Sequence, residues 1–313
     1  MTAKFLKERW YETDDSKKAL NEILKIVRNG VILREESSPF EIKDSKISDF
    51  RGINFNDLKR IKKNYVQNAD FSHCSFKSVW LEKNVFKNVK FDKTDFSEIT
   101  EIQNEFNNVS FFRSKFSKSN LGYNGSKYKK CVFDEVNFTT TEFIRNEFDS
   151  CSFKNCKLNG TDFNGSSFDN CIFIGELENV WFRGSFPSEF YINKFGNPRK
   201  NEMRNVSFEN TSLLSVNFSN YCDLSTVKSP LFGNYRMYKN WKQKLEKLKI
   251  VIKEWPSLQR NKAEIFVYSY LVHANHQDWF LINADEVIDE YGEKIGEKIF
   301  SELKDPVWRS KKQ

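Results

Sequence analysis

The sequence predicts a mainly β chain wound into a solenoid, with helices at both ends. Three observations predict it. From Phe71 to Leu121 a large side chain recurs at nearly every fifth residue: Phe71, Phe76, Leu81, Phe86, Phe91, Phe96, Glu101, Phe106, Phe111, Phe116 and Leu121. After a two-residue slip the series resumes at Tyr123 and Tyr128 and runs through Phe133, Phe138, Phe143, Phe148, Phe153, Leu158, Phe163 and Phe168 to Phe173. Of these 22 slots, 21 hold Phe, Leu or Tyr in a chain that is only 39% hydrophobic, so composition does not produce the pattern. The second observation is a small residue two places before the large one, as at Ala69, Cys74, Val79, Thr94, Ser114, Cys131, Cys151, Thr161 and Cys171, with Asn84, Ile99, Asn104 and Asn146 as exceptions. The third is that the residues between are polar. A step of five fits neither a helix nor a simple strand. It suits a narrow tube in which each five-residue unit makes one side, the large residue fills the axis and the small one packs where space runs out.

Units such as Ala69-Asp70-Phe71-Ser72-His73 and Thr161-Asp162-Phe163-Asn164-Gly165 resemble the pentapeptide-repeat family, whose motif is a small residue, Asp or Asn, Leu or Phe, then two polar residues. The resemblance covers roughly residues 50 to 225. It implies a right-handed quadrilateral β-helix with 20 residues per coil, about eight coils and roughly 40 Å of rod at one strand spacing per coil. Cys131, Cys151 and Cys171, 20 residues apart, would then lie one above another as buried, reduced thiols beside the core residues Phe71, Phe76, Phe91, Phe133, Phe153 and Phe173. The fold is a scaffold and carries no fixed chemistry.

Taken in order, residues 1–49 are expected to form an N-terminal cap over an otherwise open strand edge. Thr13-Asp14-Asp15-Ser16 opens a helix with Leu20, Ile23, Leu24 and Val27 on one face and Gly30 after its end. Val31 to Phe50 reads as short extended pieces. The β-helix is expected over residues 50–225, with a first coil distorted around the basic residues Lys59, Arg60, Lys62 and Lys63. At Glu101 a one-residue bulge turning Ile102 inward is expected in place of a buried carboxylate. Leu121-Gly122-Tyr123-Asn124-Gly125 is a turn, and residues 184–205, with Pro187 and Pro198, are expected to leave the solenoid as a side loop. Residues 226–313 predict three helices. Tyr238, Trp241, Leu245, Leu248, Ile252 and Trp255 mark the first, which Pro256 ends; the second covers 258–279 and the third 284–304. The tail Trp308-Arg309-Ser310-Lys311-Lys312 is basic and expected to be mobile.

Net charge is +7 and unevenly placed. Residues 236–262 hold nine Lys/Arg against Glu246 and Glu254, while residues 51–130 carry 16 basic and 8 acidic side chains and residues 131–178 carry 3 and 9. No apolar run approaches the length of a membrane span, and Met1 to Trp10 lacks an apolar signal core, so a cytoplasmic protein without membrane contact is expected. No phosphate loop, dinucleotide fingerprint, nucleophile elbow or HExxH motif occurs. His273 and His276, spaced i, i+3 near Asp278, lack an obvious third metal ligand. No enzyme, metal or cofactor is therefore expected. The leading expectation is a protein-interaction scaffold whose specificity lies in the side loop (Arg199, Lys200, Arg204) and the C-terminal helices, through which it could also form a homodimer. Two alternatives stand beside it. The family resemblance implies binding of DNA gyrase or another topoisomerase by DNA mimicry, against which the β-helix region sums to +3. The basic helix implies nucleic-acid binding through Lys239, Lys242, Lys249 and Lys253, as part of a larger bacterial assembly.

Overall fold

The computed structural model describes residues 1–30, 38–43 and 45–310, which form two compact units, 1–163 and 164–313. Parts of the expected extended pieces between Val31 and Phe50, and Lys311 and Lys312 of the tail, lie outside the described residues.

The first unit is a parallel β-solenoid whose rungs repeat every 20 residues. Tyr65 pairs with Val85 and Val85 with Glu105; Arg60 pairs with Trp80 and Trp80 with Thr100. That step is four five-residue sides per coil. Large residues therefore stack in columns. Phe55, Phe76, Phe96 and Phe116 follow one another at ring separations of 4.5, 5.0 and 4.7 Å, and Phe71, Phe91, Phe111, Phe133 and Phe153 at 5.5, 5.7, 4.9 and 4.7 Å. Phe86, Phe106, Tyr128 and Phe148 make a third column. Neighbouring columns meet edge to face, an arrangement the aromatic quadrupole favours.

Hydrogen bonding decides the small slot as much as size does. Thr94 Oγ1 donates to the carbonyl of Phe71, Ser119 Oγ to that of Phe96, and Cys151 Sγ to that of Tyr128, each 23 residues back. The asparagines that break the small-residue rule obey this one. Asn84 and Asn104 are buried, Asn84 Nδ2 donates to the Ile61 carbonyl, and Asn104 Nδ2 to that of Leu81. All six cysteines are buried thiols. The chain turns each corner on a residue with positive φ, two places after the large one: His73, Ser78, Lys83, Asn88, Lys93, Glu98, Gln103 and onward.

Three expectations need correction here. The first coil is regular: Ile61 and Val66 enter the axis opposite Leu81 and Phe86, while Lys59, Arg60, Lys62 and Lys63 point out. Glu101 is not bulged out. It pairs with Leu81, is 1% exposed, and accepts a short hydrogen bond from Tyr128 Oη. The irregularity lies one coil later, where Thr100 pairs with Asn120 but Ile102 with Tyr123, so one extra residue is absorbed at Leu121-Gly122 and Tyr123 stays out of the axis. Gly122 has a φ of +88°, and a Cβ there would run into the Asn146 amide.

Helices α1 (Ala3–Glu8) and α2 (Asp14–Asn29) cover the first coil. A Thr13–Ser16 capping box starts α2, and Gly30 ends it in the left-handed region. Arg9 is buried, bonds both oxygens of buried Asp49 at 2.9 and 2.7 Å, and lies over the Phe40 ring. Burial pushes Asp49 up, but the Arg51 and Arg9 guanidinium groups outweigh it and hold the carboxyl at about 2.

In the second unit, Ile172 pairs with Ser207, a step of 35 instead of 20. The inserted residues form the excursion, which contains a short helix, α3 (Glu189–Phe195), whose Tyr191 and Phe195 pack on Phe186. The C-terminal module differs from three helices. Tyr235–Lys239, Trp279–Asn283 and Trp308–Arg309 form an antiparallel sheet. Tyr238 belongs to the first of these strands and Trp279 to the second. Trp308 and Arg309 are thus held in a sheet, contrary to the mobile tail expected there. Four helices accompany the sheet: α4 (Trp241–Val251), α5 (Ser257–Leu271), α6 (Ala284–Tyr291) and α7 (Glu293–Leu303), the last two split by Gly292 at a φ of +90°. The module shares one apolar core, including Trp241, Leu245, Leu248, Phe266, Phe280 and Ile299. It closes the last coil edge-on. Gln277 is buried and bonds the backbone N–H and C=O of Cys222, and Tyr235 Oη accepts from Leu213 N.

Candidate partner-binding surface

Part of the basic run at 236–262 holds the C-terminal module together. Arg236 is buried, lies 3.9 Å from the Phe300 ring centroid and pairs with Glu297 at 3.6 Å. Lys244 Nζ donates to the carbonyls of Leu303 and Lys304 at 2.7 and 2.9 Å, capping α7, a position the helix dipole favours. Lys262 Nζ donates to the Tyr291 carbonyl at the end of α6. Of the four lysines singled out in the sequence, Lys239 sits at the end of its strand with Nζ 5.4 Å from the Trp279 ring, and Lys249 rests 4.9 Å from that of Tyr268. Lys242 pairs with Glu246 along α4, and Lys253 is exposed in the turn after α4. Arg236, Lys244 and Lys262 thus have structural tasks, while Lys239, Lys242 and Lys253 stay exposed.

The basic residues of the excursion act similarly. Arg204 forms a bidentate pair with Asp169, and Arg199 reaches the same carboxylate at 3.5 Å. Their hydrogen bonds and charge lower the Asp169 pKa, Arg204 most. Lys200 pairs with Glu202 at 3.2 Å. Arg199 and Arg204 therefore come together around Asp169, with Lys200 beside them, and pin the loop to the strand Ser167–Asp169. His273 and His276 do not converge: His273 meets the Trp181 ring edge-on and His276 stacks on Tyr221.

What the sequence reading missed is apolar. One side of α5 faces the core through Ala263, Phe266 and Val267. On the other side Leu258, Ile265, Tyr268 and, just past the helix, Val272 are 74%, 59%, 50% and 70% exposed. Their spacing of 7, 3 and 4 places them on one stripe. Ile250 and Val251 at the end of α4 are exposed as well, and Lys249 on Tyr268 joins α4 to the stripe. A helix apolar all round is normally buried all round. The run Ala263-Glu264-Ile265-Phe266-Val267-Tyr268-Ser269-Tyr270-Leu271-Val272 carried that signal.

A family model described as pentapeptide repeats (eight copies) matches residues 147–175, within the stretch where the five-residue pattern stands. Residues 147–175 are thus pentapeptide repeats. Two solved structures are similar to part of the chain. QnrB1, a plasmid-mediated fluoroquinolone resistance protein, is 13% identical over 61% of this chain and 88% of that one, with a TM-score of 0.39. HetL, a pentapeptide repeat protein involved in heterocyst differentiation regulation from the cyanobacterium Nostoc, is 13% identical over 60% and 91%, with a TM-score of 0.33. No curated protein matches the chain. Among the described residues, no helix is long and apolar enough to cross a membrane.

Proposed function

We propose that this protein is a non-catalytic interaction protein that holds a protein partner on the outer face of α4 and α5. The observation that carries the reading is the stripe Leu258, Ile265, Tyr268 and Val272, exposed on a helix whose opposite side is already buried. Grouped apolar exposure of this kind marks interaction surfaces. Lys249 at its margin and Lys253 nearby suit a partner segment with an apolar face and an acidic border. The buried thiols are in keeping with a reducing, cytoplasmic setting. Direct nucleic-acid binding is less well supported, because Arg236, Lys244 and Lys262 are engaged inside the module.

The test is capture of the tagged protein from lysate of its native host, divided into a nuclease-treated and an untreated half and read by mass spectrometry. A stoichiometric protein partner in both halves is the expected result. A partner set that disappears with nuclease would overturn the reading in favour of nucleic acid.

A further inference from the structure

The excursion leaves a cavity of about 150 Å³ against the strand Ser167–Asp169. Phe168 points into the axis, so its neighbours Ser167 and Asp169 point out. Outward neighbours of a large residue are usually at least partly exposed, as Ser152 and Lys154 are beside Phe153. Here all three residues of the strand are buried, because the returning arm of the excursion is fastened along it. Phe168 N donates to Asn201 Oδ1 at 3.1 Å, and Asn170 N to the Arg204 carbonyl at 2.8 Å.

The charge of the lining is unbalanced. Arg199, Lys200 and Arg204 stand against Asp169 and Glu202. Lys200 and Glu202 pair with each other at 3.2 Å, which leaves two guanidinium groups sharing one carboxylate. Arg204 already holds Asp169 through two hydrogen bonds. Arg199 reaches the same carboxylate only at 3.5 Å, beyond the about 2.7–2.9 Å of a charge-assisted hydrogen bond.

A second observation is independent of the charges. Ser167 lines the cavity, is 3% exposed, and its Oγ has no hydrogen-bond partner among the described residues. A buried hydroxyl without a partner is costly unless something supplies one. A hydroxyl donates to an oxyanion as a guanidinium does. The size of the space narrows the choice further. It falls below the about 300–1,000 Å³ of sites that take whole small molecules, and suits a single compact group.

We infer that this cavity binds a phosphate group, held by the Arg199 guanidinium and the Ser167 hydroxyl. The planar fork of arginine matches two phosphate oxygens at once. Arg204 stays on Asp169 and cancels its charge, and Lys200 adds positive charge from the solvent side. The same chemistry reaches the cavity either as free phosphate or on a phosphorylated side chain of a peptide. This inference does not depend on the α5 stripe, which other residues form.

Titration calorimetry on the full chain tests it with two probes, sodium phosphate and an acetylated, amidated Gly-phosphoserine-Gly peptide, with sodium chloride at matched ionic strength as the control. Saturable binding of at least one probe, weakening as salt rises, is expected. Binding of phosphate alone identifies a site for the free ion, and binding of the peptide, with or without phosphate, a site for a phosphorylated side chain. Arg199→Gln should lower affinity about ten-fold or more, and Ser167→Ala several-fold, while Lys4→Gln changes nothing. Asp169 keeps Arg204 in both variants, and Ser167→Ala removes a hydroxyl that has no partner, so neither should melt below the parent. Added phosphate or peptide should raise the melting temperature of the parent and not that of the Arg199→Gln, Ser167→Ala double variant. No saturable heat with either probe, or equal saturation by chloride, would overturn the inference. So would binding that the double variant retains in full.

Discussion

At Glu101 a carboxyl group occupies a slot that Ile61, Leu81 and Leu121 fill with hydrocarbon in neighbouring coils. Burial pushes its pKa up to about 7, against the lowering effect of Ser126, Tyr128 and Asn104 beside it. An exposed glutamate titrates near 4.5. Stability is therefore full below about pH 4.5 and is lost as pH rises through about 7, by about 3 kcal/mol in all. Thermal melts of the parent should show this decline between acid and alkaline buffer, and Glu101→Gln should flatten it. Replacing both partners, Glu101→Leu with Tyr128→Phe, should raise the melting temperature at alkaline pH, since neither polar group is then left alone. The small slots give a second residue-scale prediction. Thr94→Val keeps the shape but removes the donor to the Phe71 carbonyl, and should cost about 1 kcal/mol in denaturant unfolding.

Elements divide by how local their signals are. Each side of a coil is five residues long and repeats its own pattern, so the solenoid, its columns and the start of α2 were legible in the sequence. Glu101 was misread because a buried carboxylate is rare, and the partner that makes it tolerable, Tyr128, lies 27 residues away. The strand Tyr235–Lys239 was hidden for a similar reason. Tyr238 fits a helical spacing with Trp241 and Leu245, and only pairing with the distant Trp279–Asn283 makes the segment a strand. The basic run was visible, but its division between helix caps, aromatic faces and solvent depends on tertiary neighbours. At the first-coil cap, Arg9→Ala would leave buried Asp49 with Arg51 as its remaining guanidinium partner. A loss of about 3 kcal/mol is expected, measurable by denaturant unfolding.

On the scale of the molecule, an open parallel edge invites pairing with other chains. The first coil is covered by α1 and α2, and the last by Gln277, Tyr235 and the C-terminal sheet. Removing residues 1–29 should therefore produce concentration-dependent association, seen by light scattering. The interaction reading places function on the outside of the C-terminal module, where exposed side chains add little to folding. Leu258→Ser, Ile265→Ser and Val272→Ser together should leave unfolding within about 1 kcal/mol of the parent, because these groups already face solvent.

That separation makes the decisive measurement a comparison of capture by three tagged proteins in nuclease-treated host lysate. They are the parent, the Leu258→Ser, Ile265→Ser, Val272→Ser variant, and a variant with Lys239, Lys242, Lys249 and Lys253 changed to glutamate. The account predicts that the serine variant loses the stoichiometric partner while remaining folded, and that the glutamate variant keeps part of it. Full retention of the partner by the serine variant would contradict the account.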